Sequence, residues 1–208
     1  MISRVGVGII GFGTVGTGVA KILLGNDALI SRRVGVPIEI IRIADLDVIR
    51  DRGLALPPGL LTTEAKQILT DPSIDIVVEL IGGCDVAKRI ILESIAAGKH
   101  VVTANKALLA LHGEEIFSAA SRAGVDLGFE GSVGGGIPVI QALREGLAAN
   151  TIQSIYGIIN GTANYILSRM THEGQSFEAV LDEAKKAGYA EADPTFDVAG
   201  TDSAHKLA

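Results

Sequence analysis

A glycine motif near the amino terminus constrains the fold more than any other feature of the chain. An apolar, β-branched run, Val5–Ile10, leads directly into the pattern G-x-G-x-x-G, formed by Gly11, Gly13 and Gly16. A segment with helical spacing of apolar residues follows the third glycine. Strand, tight turn and helix in this order form the phosphate-binding unit of dinucleotide-binding folds, where the helix amino terminus offers N–H groups to a pyrophosphate. We therefore predict that this segment binds a nicotinamide dinucleotide.

The three glycines have different tasks in such a turn. The first permits the sharp bend, the second keeps the backbone open to a pyrophosphate, and the third lets the helix pack closely on the strand. A membrane span is disfavoured, because the uncharged stretch 5–20 is shorter than the roughly 20 apolar residues that a bilayer requires. A secretory signal is also disfavoured, because no alanine-rich cleavage site follows before Lys21. We therefore expect no membrane partner.

Charge and cysteine content narrow the function classes. The chain of 208 residues carries a net charge of -6 without a basic stripe, so we expect no nucleic-acid partner. Hydrophobic residues make up 48%, which is typical of a core-forming protein with one large or two small domains. The single cysteine, Cys84, cannot form an internal disulfide, and this favours a reducing compartment, the cytoplasm.

Strand and helix patterns alternate through the first part of the chain. After the first strand and helix, further strands are predicted at 38–44, 74–81, 100–103 and 125–129, and helices at 63–69, 86–97 and 107–123. This alternation is typical of parallel strands with helices on both faces. We predict an α/β fold, a Rossmann-type doubly wound parallel sheet in residues 1–130, with ligand-binding residues just beyond the carboxyl ends of the strands.

The pattern changes at Glu130. A glycine-rich loop over 131–138 leads into a helix, 152–159 alternates like a half-buried strand, and helices are predicted at 163–170, 177–187 and 201–208. The strand has no evident partner in this part of the chain, and one strand is not stable alone. We therefore expect residues 131–208 to be the first part of an α+β catalytic and dimerisation domain in a longer chain, or the strand to pair with another subunit.

Polar side chains after the predicted strands are the candidates for chemistry. Asp45 ends the second strand, where an acidic residue holds ribose hydroxyls in nicotinamide-binding folds; the alternative is a solvated turn aspartate. Lys106 begins a helix, where its charge opposes the helix dipole, and this favours a functional role. Cys84 is either a buried structural thiol or the nucleophile of an acylating aldehyde dehydrogenase.

Two further features each leave two interpretations open. Asp202 and Lys206 are spaced i, i+4, so they share a helix face, either as a surface ion pair or as a proton-donating lysine beside a carboxylate. The loop of Glu130 and the glycines of 131–136 either binds an ion through its backbone groups or is a hinge between domains.

Six motifs taken together resemble one known family. They stand at 11–16, 103–106, 130–138, 160–167, 188–194 and 200–206. In this order they closely resemble homoserine dehydrogenase, over essentially all 208 residues. The resemblance implies the NAD- or NADP-dependent interconversion of L-aspartate 4-semialdehyde and L-homoserine, on the route to threonine, methionine and isoleucine. It also implies longer chains than this one.

The resemblance assigns roles to individual residues. Lys206 matches the lysine that donates a proton to the aldehyde oxygen, and Lys106 matches a second active-site lysine. Glu191 and Asp202 match carboxylates of the substrate site, with Glu191 binding the substrate amino group. The cofactor contacts expected from the motif and the resemblance are Gly11, Phe12, Gly13, Thr14, Val15, Gly16, Asp45, Thr103 and Lys106. A monovalent cation, usually sodium, is expected on the carbonyls of Glu130, Val133, Gly135 and Ile137.

The resemblance further implies a homodimer whose subunits are joined through a sheet that contains 152–159. The resemblance also implies that the protein binds a small amino-acid substrate besides the cofactor. Two alternatives stay open. The chain could be a nicotinamide-binding or regulatory module without chemistry, or an acylating semialdehyde dehydrogenase that depends on Cys84.

Overall fold

Six short segments form one parallel sheet in the computed structural model, which describes residues 3–190 and 193–208. The strands are β1 (Val5–Ile10), β2 (Ile38–Ala44), β3 (Leu61–Thr62), β4 (Ile76–Glu79), β5 (His100–Thr103) and β6 (Leu127–Gly128). Their order is β3-β2-β1-β4-β5-β6, and every neighbouring pair is parallel. The predicted Rossmann-type α/β sheet is therefore confirmed.

Five helices flank this sheet in the described residues of the first part of the chain. They are α1 (Thr14–Gly25), α2 (Asp27–Val34), α3 (Lys66–Leu69), α4 (Asp85–Ala96) and α5 (Lys106–Ala123). The sequence predicts no element at α2, which ends at Gly35 in the left-handed conformation, with φ +90°. Helices α4 and α5 pack their apolar faces on β5 and β6, with Ile91, Leu108 and Ile116 fully buried between them. Hydrophobic burial of this kind holds the sheet together.

The sheet reverses its strand order at β1, and this locates the ligand crevice. β1 lies between β2 and β4, so the chain leaves β1 to one side and returns to the other. Their carboxyl ends, Ile10, Ala44 and Glu79, lie at one edge, because Ile10 pairs with both Ala44 and Glu79. Open α/β sheets bind their ligands at such a switch point.

The chain divides into two compact units, Met1–Gly135 and Gly136–Ala208. The described residues of the second unit are helical or irregular. Its helices are α6 (Val139–Gln141), which continues as a π-helical turn (Ala142–Gly146), α7 (Gly161–Glu173), α8 (Phe177–Lys186), α9 (Thr195–Val198) and α10 (Thr201–Leu207). None of the helices in the described ranges is both long and apolar enough to cross a membrane.

The strand predicted at 152–159 is wrong for this chain. The segment is irregular, and Ile155, Tyr156 and Ile158 are exposed, Tyr156 at 92%. A strand needs a hydrogen-bonded neighbour, and the second unit offers none among its described residues. The alternating pattern therefore has no neighbouring strand among the described residues of its own unit.

Candidate active site

The turn between β1 and α1 has no room for a side chain at two of its glycines and open space at the third. Gly11 has φ +99°, and a Cβ there would lie 2.6 Å from the backbone of Leu80. A Cβ on Gly16 would lie 2.1 Å from the carbonyl oxygen of Gly11. A Cβ on Gly13 would meet no atom within 4 Å. The fold itself therefore requires Gly11 and Gly16, whereas the space at Gly13 fits the close approach of a ligand.

The amino terminus of α1 faces this open side and lacks a capping side chain. Gly13 is the N-cap residue, and no acidic residue stands in the first helical turn. Thr14, Val15 and Gly16 follow it, so their backbone N–H groups point out of the helix end. Unsatisfied N–H groups and the helix dipole together favour an anion such as a phosphate. Gly13, Thr14, Val15 and Gly16 thus stand at a helix end that suits a phosphate, and their contact with a cofactor stays a prediction.

Asp45 and Arg52 hold the turn from the side of β2. The backbone N–H of Phe12 donates to Asp45 Oδ2 at 2.6 Å, and Arg52 Nε donates to the carbonyl oxygen of Phe12. The Arg52 guanidinium also lies 4.9 Å from the centre of the Phe12 ring and 3.3 Å from Asp45 Oδ1. Asp45 thereby positions the glycine turn, and its contact with a ribose stays a prediction. The sequence alone did not indicate Arg52, because Phe12, whose carbonyl oxygen it binds, is 40 residues away.

Two cavities adjoin the turn. One of about 580 Å³ runs along the carboxyl ends of β1, β2 and β4, between Gly11, Asp45 and Gly82. The other, about 380 Å³, is lined by Gly13 and by the cationic residues Lys21 and Arg50. The backbone N–H of Arg50 donates to Asp47 in the same loop and lowers the pKa of that carboxyl group. Together they give a nucleotide-sized crevice with positive charge beside it.

A buried carboxylate joins the ends of β4 and β5. Glu79 is fully buried; its Oε1 accepts from the backbone N–H of Ile81, and its Oε2 accepts from the Thr103 hydroxyl at 2.7 Å. The Thr103 oxygen in turn accepts from the N–H of Asn105 at 3.1 Å. Thr103 therefore supports the loop that leads to Lys106. The signal in the sequence is Glu79 itself, a single charge in the otherwise apolar strand β4.

Lys106 stands at the first position of α5. Asn105 caps this helix through its side-chain oxygen, which accepts from the N–H of Leu108 at 3.2 Å. The amide of Asn105 also donates to the carbonyl oxygen of Gly83 in the loop after β4. Cys84, next to that loop, is a half-buried free thiol at the N-cap of α4. Lys106 thus lies just beyond the carboxyl end of β5, on the side of the sheet where ligands bind in folds of this kind.

The second unit brings Asp202 and Lys206 into contact. Lys206 Nζ lies 2.6 Å from Asp202 Oδ2, and it also donates to the carbonyl oxygen of Ile159 at 2.6 Å. The side chains of both residues are mostly buried, with 20% of Lys206 and 14% of Asp202 exposed. The predicted shared helix face is therefore a real ion pair. The pair is partly buried and has a second anchor on Ile159, and the role of Lys206 as a proton donor stays a prediction.

Asn160 completes this cluster, and sequence reasoning missed its role. Its amide nitrogen lies 2.8 Å from Asp202 Oδ2 and 2.8 Å from Asp197 Oδ1. Its position before a helical segment is a recognisable N-cap signal, but its acidic partners are 37 and 42 residues away. Glu191, the other predicted substrate-binding carboxylate, lies outside the described residues.

The loop predicted to hold a cation is rich in unusual backbone conformations. Glu130–Ser132 forms a 3₁₀ turn, and Gly134 and Gly136 have φ of +65° and +83°. No group of three or more His, Cys, Asp or Glu side chains suited to a metal occurs among the described residues. The predicted donors are instead the backbone carbonyl oxygens of Glu130, Val133, Gly135 and Ile137, and their binding of a cation stays a prediction. Hard oxygen donors of this kind fit an alkali or alkaline-earth cation.

Comparison with known proteins gives consistent results over the two units. The family profile described as "Homoserine dehydrogenase, NAD binding domain" matches residues 11–130, and the profile described as "Homoserine dehydrogenase" matches residues 138–208. The homoserine dehydrogenases of Pseudomonas aeruginosa and Neisseria gonorrhoeae are 52% and 50% identical to the chain, over 97% and 98% of its length. In both cases the match covers 46% of the relative, so the chain spans about half the length of these proteins.

Solved structures agree. A homoserine dehydrogenase from Thiobacillus denitrificans is 53% identical, with a TM-score of 0.90, and the match covers 98% of this chain and 47% of that one. A hyperthermophilic archaeal homoserine dehydrogenase, solved in complex with NADPH, is 25% identical, with a TM-score of 0.80 over 98% of this chain and 67% of that one.

Proposed function

The chain belongs to the homoserine dehydrogenase family, and on this premise we propose that it carries the cofactor site and the proton donor of an enzyme that interconverts L-aspartate 4-semialdehyde and L-homoserine. Relatives of the chain are NAD(P)-dependent oxidoreductases of amino-acid biosynthesis. The proposal adds the two compounds that are interconverted, the place of the reaction on the route to threonine, methionine and isoleucine, and a cytoplasmic location.

One observation carries the proposal. Lys206, which matches the proton donor of the family, is mostly buried and lies 2.6 Å from Asp202. The Asp202 carboxylate and the Ile159 carbonyl oxygen together hold the Lys206 ammonium in one position, whereas the ammonium of an exposed surface lysine moves among many rotamers. A fixed amine that can release a proton is what reduction of an aldehyde requires, since the oxygen must gain a proton when the carbon gains a hydride.

The residues of the chain divide the work as follows. The nicotinamide cofactor, when bound, supplies or accepts the hydride. The Lys206 ammonium donates its proton to the aldehyde oxygen and stabilises the negative charge that develops there. Asp202 keeps this ammonium in place. Glu191 binds the amino group of the substrate, as a carboxylate does for an ammonium. Lys106 provides a second amine in the active site.

The cofactor fits the geometry of the first unit. A Cβ is missing where the pyrophosphate must approach Gly13, and the helix end beside it lacks a capping acid. In this proposal Asp45, which is bonded to the turn, binds the ribose, and Lys21 and Arg50 of the adjoining cavity offer positive charge to a 2′-phosphate. The NADPH bound by the archaeal relative supports NADP as well as NAD.

The function is tested by measuring nicotinamide oxidation with L-aspartate 4-semialdehyde in the full-length gene product. Turnover that yields L-homoserine, with NADH or NADPH, supports the proposal. Tight nicotinamide binding without turnover would instead identify a binding module. The third possibility is an acylating dehydrogenase, which needs a thiolate nucleophile. Loss of activity in Cys84→Ser would identify an enzyme of that kind. We expect Cys84→Ser to keep normal turnover.

We propose further that the loop 130–137 binds sodium. A ligand that binds only the folded chain raises its stability, by about 1.4 kcal/mol at ten times the dissociation constant. Replacing N-methylglucamine chloride by sodium chloride at equal ionic strength should therefore raise the melting temperature by roughly 3–6 °C. The increase should vanish in Gly136→Val, which strains a backbone conformation with φ of +83° inside the loop, and persist in Gly174→Val, a glycine with φ of +67° after α7. An equal response of both variants would contradict the site.

We also propose that 152–159 joins two subunits. The segment exposes Ile152, Ile155, Tyr156, Ile158 and Ile159, a contiguous apolar row of the kind that marks interfaces. Ile155→Asp would bury a charge in that interface, and we expect the dimer dissociation constant of the full-length gene product to rise by about tenfold to a hundredfold. Ser154→Asp, one residue earlier, is the matched control. Sedimentation analysis measures both, and an Ile155→Asp protein that dimerises normally would refute this interface.

A further inference from the structure

We propose that Asn160 is the positioning residue of the Asp202–Lys206 pair. The inference rests on the proposed function, since it assigns to Asn160 the task of holding the proton donor in its working orientation. Asn160 does not touch the reacting atoms in this assignment. It acts through Asp202, and through its neighbour Ile159.

The amide of Asn160 is fully engaged. The residue is buried, with 7% of its surface exposed. Its nitrogen donates to Asp202 Oδ2 and to Asp197 Oδ1, each at 2.8 Å, which uses both amide hydrogens. Its oxygen accepts from the N–H of Ala163 at 2.6 Å and so caps α7. One side chain therefore ties α7, α9 and α10 together at the carboxylate that holds Lys206.

The residue before it holds the amine itself. The carbonyl oxygen of Ile159 accepts from Lys206 Nζ at 2.6 Å, while Asn160 binds the oxygen of Asp202 that also accepts from Lys206. Two consecutive residues thus contact both members of the ion pair. Without this corner, the pair would depend on α10 alone, a helix of seven residues, which is too short to be stable by itself.

Only asparagine meets all three demands at this position. The cap needs an acceptor, and the two aspartates need two donors, a combination that an amide on a short side chain provides. A serine at 160 would keep the cap but offer a single hydroxyl hydrogen. An aspartate at 160 would keep the cap and the size, but it would place a third carboxylate against Asp197 and Asp202.

Kinetics of the full-length gene product give the first readout. Asn160→Ser should lower kcat by about tenfold to a hundredfold, because a small misplacement of a catalytic group has effects of this size. KM for the nicotinamide cofactor should not change, because the glycine turn is untouched. Asn160→Asp should lose at least as much activity as Asn160→Ser. A merely structural residue would lower the amount of folded enzyme without this split between kcat and KM.

Chemical labelling of the 208-residue chain gives the second readout, and it needs no substrate. The acetylation rate of Lys206, followed by peptide mass spectrometry, should increase severalfold in Asn160→Ser. Lys185 and Lys186, in the last turn of α8, serve as internal references and should not change. Ser176→Ala is the matched control, because it removes the N-cap of α8 in the same unit and has no contact with the pair. It should leave both readouts as in the wild type.

The two readouts separate the possible failures. If Asn160→Ser keeps kcat and keeps Lys206 protected, or if Ser176→Ala reproduces its effects, the positioning role is overturned. If the wild-type protein shows no turnover, the proposed function fails, and the labelling result alone then decides whether Asn160 holds the amine.

Discussion

Replacing Lys206 by alanine is expected to lower kcat for aspartate semialdehyde reduction by about two to four powers of ten, the range of general acid catalysis. The variant loses the proton donor and leaves Asp202, which is mostly buried, without its cation. Cofactor affinity should stay unchanged, because the glycine turn belongs to the first unit. The measurement is steady-state turnover of the full-length gene product, together with a fluorescence titration of NADPH.

Lys206→Arg separates proton transfer from charge. Arginine keeps the positive charge and can still donate hydrogen bonds to Asp202, but it does not release a proton in proteins. If Lys206 acts as a general acid, the arginine variant should be nearly as inactive as the alanine variant. Lys186→Ala, an exposed lysine of α8, is the control for unspecific effects. Normal turnover of Lys206→Ala would end the proton-donor assignment, whatever the arginine variant does.

Replacing Gly13 by valine is expected to weaken NADH and NADPH binding by about a hundredfold, equivalent to about 2.7 kcal/mol. The new side chain would occupy the space where a pyrophosphate approaches the backbone. The fold should tolerate the change, because a Cβ at Gly13 meets no atom within 4 Å and the residue has φ of −73°. The valine variant should therefore melt close to the wild-type temperature while losing its ligand.

Two other glycines of the same segment make this prediction sharp. Gly16→Ala would place a Cβ 2.1 Å from the carbonyl oxygen of Gly11, so it should destabilise the unit itself. Gly25→Val changes the exposed far end of α1 and should leave cofactor binding intact. Fluorescence titration and thermal denaturation of the 208-residue chain distinguish the three. A Gly13→Val protein that binds NADPH normally would contradict the placement of the pyrophosphate.

Periodicity and local motifs predict much of the fold correctly. The strands at 38–44 and 100–103 have the predicted limits in the structure, because each is an apolar run bounded by polar or turn residues. The strand predicted at 74–81 is Ile76–Glu79 in the structure, although Asp75 and Leu80 on either side of it still donate to the carbonyl oxygens of Gly6 and Ile10. The helix α2 was missed, because three arginine and serine residues interrupt its apolar pattern.

Local spacing also predicts part of the site. The i, i+4 spacing of Asp202 and Lys206 was enough to place them on one face, and the glycine spacing was enough to predict the turn. The partners of Arg52, Glu79 and Asn160 could not be found in this way, although Glu79 is visible in the sequence as the single charge of β4. Each owes its role to hydrogen bonds that close over 24 to 42 residues of chain, or to burial that only the folded sheet creates. Such partners are set by topology, and no local pattern encodes them.

The contact of Arg52 with Phe12 affects how the affinity for the cofactor can change. The glycine turn and the loop after β2 are bound to each other through Phe12, Asp45 and Arg52, so neither can shift alone. A nucleotide would therefore bind to the glycine turn and the loop after β2 as one preformed surface. Substitutions in the loop 46–52, remote from the glycines along the chain, are consequently expected to change the affinity for the dinucleotide while every glycine stays in place.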